Sequence, residues 1–111
     1  MLTYIRWYWP DDDLWYYEEL DGESWSLRHV ELRRPDGTPV AAASLAETLA
    51  AREAGGIDAV RQYENRYGVS PEVPFESLET EYNEPEVAPE TISANEFEQV
   101  WQNARRHLEA Q

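Results

Sequence analysis

Eight of the chain's fourteen aromatic residues fall within its first 25 positions: Tyr4, Trp7, Tyr8, Trp9, Trp15, Tyr16, Tyr17 and Trp25. Most sit side by side, as Trp7-Tyr8-Trp9 and Trp15-Tyr16-Tyr17, in runs with strong strand preference. Successive side chains of a strand point to opposite faces. Neighbouring rings therefore put aromatic surface on both sides of whatever sheet these segments form. A sheet this small cannot hide them all on one face. The other face must be covered by the rest of the chain or offered to a partner.

Turn signals divide the first forty residues into an antiparallel meander of three to four strands. Leu2 to Trp9 is closed by Pro10 and the acids Asp11, Asp12 and Asp13, which suit a turn. Leu14 to Leu20 ends at Asp21-Gly22, a tight-turn pair. In the third run, Trp25 to Arg33, the residues Ser26, Arg28, Val30 and Leu32 face one way, and Trp25, Leu27, His29, Glu31 and Arg33 the other. After the turn Pro35-Asp36-Gly37-Thr38, Val40 to Ala43 reads as a short fourth strand.

The period then changes. Ser44-Leu45-Ala46-Glu47 has capping-box spacing, and Leu45, Ala46, Leu49 and Ala50 recur at helical intervals until Gly55-Gly56 stops the helix. Ile57, Val60, Tyr63, Glu64 and Tyr67 predict a second short helix ended by Gly68. Residues 69–91 hold Pro71, Pro74, Pro85 and Pro89 among many glutamates and read as extended chain. Residues 93–110 form the clearest helix. Ser93-Ala94-Asn95-Glu96 is a second capping box, and Ile92 and Phe97 occupy hydrophobic-staple positions. Phe97, Val100, Trp101, Ala104 and Leu108 make one apolar stripe, with Arg105, Arg106 and His107 in the last turn. If Trp101 is buried, its loss to Ala costs about 3–5 kcal/mol. The expected architecture is a single α+β domain over 1–111. Its C-terminal helix packs on one face of the meander, and residues 42–68 form an inserted helical segment.

Charge narrows the partners. There are 23 acidic residues against 9 basic ones, all of them Arg, for a formal net charge of −14. Such a field repels phosphate backbones and anionic lipid, so neither nucleic acid nor a membrane is expected as a partner. It steers basic proteins inward, and it also serves solubility. No cysteine is present, which removes disulfides and thiolate ligands. The start of the chain lacks a signal-peptide pattern, and no run approaches the roughly 18–20 apolar residues of a membrane span. The cytoplasm is the expected location.

The Tyr4-Ile5-x-Trp7 strand, the Trp25-to-Glu31 strand leading to Asp36-Gly37, and the closing Ile92-Ser93-x-x-Glu96-Phe97-x-x-x-Trp101 together resemble a family of small acidic bacterial proteins. That family is common in actinomycetes and is classed only as a domain of unknown function. The resemblance covers roughly residues 2–40 and 70–104, with 42–68 as an insertion. It carries no activity and no functional residue to transfer. In size and charge the chain is also similar to immunity proteins of toxin systems.

Two groups of residues are candidates for partner contact. One surrounds the first turn: Trp9, Asp11, Asp12, Asp13, Trp15 and Tyr17. The other lies in the stretch from Tyr67 to Ala104, which has no basic residue: Glu76, Glu79, Glu81, Tyr82 and Glu84. Carboxylates in series beside aromatic rings suit an Arg- or Lys-bearing surface. The plainer reading is a solvated turn and a solvated acidic loop. Asp11, Asp13, Glu18 and Glu19 would make an acid–base or metal cluster if they converged, but 23 acids produce chance neighbours. The first turn is not a calcium loop, since Trp15 and Tyr16 stand where a ligand and a Gly are needed. His29 and His107 lack ligand spacing. His107 suits a helix C-terminus, and His29 is expected to be partly exposed and hydrogen-bonded. No serine has a nucleophile-elbow context and no glycines form a phosphate loop. No catalytic residue, metal ligand or cofactor is therefore assigned. The expected function is an acidic protein-binding module, more sharply an immunity- or antitoxin-like protein that blocks a basic partner. The alternative is a small-ligand-binding protein or enzyme with a pocket of Trp, Tyr and carboxylates. An accessory subunit without activity of its own is the third reading.

Overall fold

The computed structural model describes residues 1–72, 75 and 89–110. The candidates Glu76, Glu79, Glu81, Tyr82 and Glu84 lie outside the described residues. The meander is present as β1 (Thr3–Trp9), β2 (Leu14–Leu20), β3 (Ser26–Arg33) and β4 (Pro39–Ser44). A fifth strand, β5 (Glu90–Thr91), extends the expected three or four and pairs with β1, giving the antiparallel order β4-β3-β2-β1-β5. Two residues carry no readable period, so β5 left no mark in the sequence. It is held by its tertiary setting: Arg6 Nε donates to Glu90 Oε2 at 2.7 Å, and Ile92 N–H donates to the Tyr4 carbonyl at 2.9 Å.

Register assigns the rings of β1 and β2 to faces. Arg6, Tyr17, Val30 and Ala42 are cross-strand partners, as are Tyr8, Trp15 and Leu32; they lie on the first face. Trp7, Tyr16, Glu31 and Ala41 form one row of the second face, and Ile5, Glu18, His29 and Ala43 the next.

Helix α2 (Ala94–Glu109) covers the first face. Ser93 caps it by accepting from the Glu96 N–H at 3.0 Å. Phe97, Ala104 and Leu108 bury against Tyr17, Val30 and Ala42, while Val100 and Trp101 pack at the margin. Phe97 rather than Trp101 takes the fully buried position. Trp101 is half-buried, with the Arg28 and Arg105 guanidiniums 5.1 and 4.4 Å from its ring centre.

Helix α1 (Leu45–Tyr67) meets one expectation and corrects another. Helical geometry breaks at Gly56, where the sequence places the stop, and a second helical stretch follows directly across a kink; the φ of 66° there is open to glycine. The expected apolar stripe, however, is largely turned outward: Leu49 is exposed, and Thr48 is buried in its place, donating from Oγ1 to the Ser44 carbonyl. Gly68 ends the helix at φ 95°, and a Cβ there would stand 2.5 Å from the Ala41 Cβ. That close pass lets the chain leave α1 tight against β4. Ile5, Leu20 and Phe75 form a small second core with Trp7 packed against it, and Phe75 N–H donates to the Ser24 carbonyl at 2.8 Å. Among the described residues no helix is long and apolar enough to cross a membrane.

Candidate functional site

The second face gathers the groups with chemistry. β2 and β3 pair so that Glu18 lies opposite His29, and Tyr16 opposite Glu31. Trp7 sits diagonally from Glu18 on β1, and its indole N–H donates to Glu18 Oε2 at 2.9 Å. His29 Nδ1 is 3.3 Å from the other Glu18 oxygen, and Nε2 is 2.9 Å from Glu31 Oε2. Glu18 and His29 are 1% and 4% exposed, which corrects the expectation of a partly exposed histidine. Burial pushes the imidazole toward neutrality, but hydrogen bonds to Glu18 and Glu31 overcome it and raise its pKa to about 9. At neutral pH His29 is an imidazolium donating from both nitrogens. It has no lone pair for general-base work. Its role is to hold two carboxylates in place.

Aromatic rings surround this group. Trp7 stacks on Tyr16 with ring centres 4.5 Å apart and planes 16° from parallel. Trp9 meets Trp7 edge-on at 6.1 Å, and Tyr16 lies 5.4 Å from the His29 ring. Together they line a cleft of about 360 Å³. Asp12 reaches it from the first turn, and Val69 and Pro71 from the chain beyond α1. The volume is at the small end of ligand sites, enough for one long side chain or one small organic molecule. A groove at the α1 kink, lined by Arg52, Ile57, Val60, Arg61 and Glu64, is comparable in size but brings no buried acid or base together.

The structure divides the residues singled out at the first turn. Trp9 and Asp12 line the cleft, and Asp11 is exposed on the turn. Asp13 is tied into the fold instead: its φ is 54°, its carboxylate accepts from the Tyr8 hydroxyl, and its carbonyl accepts from Arg34 N–H. Trp15 lies on the opposite face beneath the Arg6 guanidinium. Tyr17 is a correction, because it is buried in the main core and not available to a partner. Glu18 and Glu19 do not converge with Asp11 and Asp13. They are adjacent in β2 and point to opposite faces, where Glu19 takes a bidentate bond from Arg28. No group of three metal-binding side chains occurs among the described residues.

Trp7, Tyr16, Glu18, His29 and Glu31 are the site residues that sequence reasoning missed. The period-two alternation already placed His29 and Glu31 on one side of β3. What was lacking was the register that sets Glu18 opposite His29. A scan of the chain against protein-family models, curated proteins and solved structures finds no match.

Proposed function

We propose that this chain is an acidic protein-binding module whose contact surface on a basic protein is centred on the cleft of the second face. One observation carries the reading: the rings of Trp7, Trp9 and Tyr16 stand beside the carboxylates of Asp12, Glu18 and Glu31 in a chain of net charge −14. Aromatic rings are the usual anchors of interface hot spots, and a complementary field speeds encounter and selects the partner's charge. The sharper form is a protein that blocks a basic enzyme, as immunity proteins do.

An enzyme reading finds less support. Both His29 nitrogens are engaged by carboxylates. Where the described carboxylates Asp36, Glu47 and Glu98 shift, they shift downward, away from the raised value a general acid requires.

The test is affinity capture from native lysate of the source organism with folded bait and stepped salt elution. The expected result is one basic protein held at low salt and released by about 0.5 M salt, where screening shortens to a few Å. Folded bait that retains no basic protein, or retention that such salt leaves unchanged, refutes the reading.

A further inference from the structure

We draw no further inference here: the strongest candidate, the groove at the α1 kink where the exposed Ile57 lies beside Val60, Arg52, Arg61 and Glu64, is an open, partly apolar face whose Arg52 is already paired with Glu72, and nothing in the structure shows what covers it.

Discussion

The buried His29 triad makes stability depend on pH in a window that few groups share. In the unfolded chain the imidazole titrates near 6.5; in the fold Glu18 and Glu31 hold its proton up to about 9. The folded state therefore binds the proton more tightly. Its contribution is full below pH 6.5, declines as pH rises through 9, and is absent above that. At 1.36 kcal/mol for each tenfold change in proton affinity, this amounts to roughly 3 kcal/mol. That is a large part of the roughly 5–15 kcal/mol that holds a domain folded. The structural cause is direct. A neutral imidazole donates only one N–H, so one of the two carboxylates loses its partner inside the sheet. The perturbation is His29→Gln, and the assay is urea unfolding of both proteins from about pH 6 to 10. The wild-type chain should lose roughly 3 kcal/mol more than the variant across that window. Parallel pH profiles would refute the claim that His29 is charged in the fold.

Three other substitutions test the packing. Arg28→Met strips the bidentate partner from Glu19, a residue 7% exposed, and should cost about 3 kcal/mol; adding Glu19→Gln should restore part of it, and a single-variant loss below about 1 kcal/mol would contradict the pairing. Gly68→Ala should cost about 2 kcal/mol, because it meets both positive φ and the Ala41 Cβ, whereas Gly56→Ala meets positive φ alone and should cost about 1; equal unfolding midpoints would undo that distinction. Phe97→Ala should cost about 3–5 kcal/mol and exceed Trp101→Ala, since Phe97 is fully buried and Trp101 is not; thermal unfolding in the reverse order would place the core wrongly.

Elements with local signals were legible before any fold was known. Turn residues at Pro10–Asp13 and Asp21-Gly22 delimited the hairpins, and the Ser93 cap with the stripe from Phe97 to Leu108 marked α2 and its buried face. These hold because a turn or a cap is satisfied by neighbours within a few residues. Adjacent rings such as Trp7 and Tyr8 also required two occupied faces before any fold was known.

The other features depend on how the strands and helices meet. Which acids meet depends on register, and register comes from pairing between strands rather than from either strand alone. Glu18 and Glu19 are indistinguishable as neighbours in sequence, yet pairing sends one to His29 and the other to Arg28. Tyr17 looked as available as Trp9 until α2 closed over its face. β5 exists because β1 leaves an edge to pair beside the start of α2, not because Glu90-Thr91 favours a strand. The cleft arises in the same way: its rings come from β1 and β2, its buried charges from β2 and β3, and its margin from a turn and the chain beyond α1. Alternation could assign each residue a side, but only the assembled sheet could set those sides against one another.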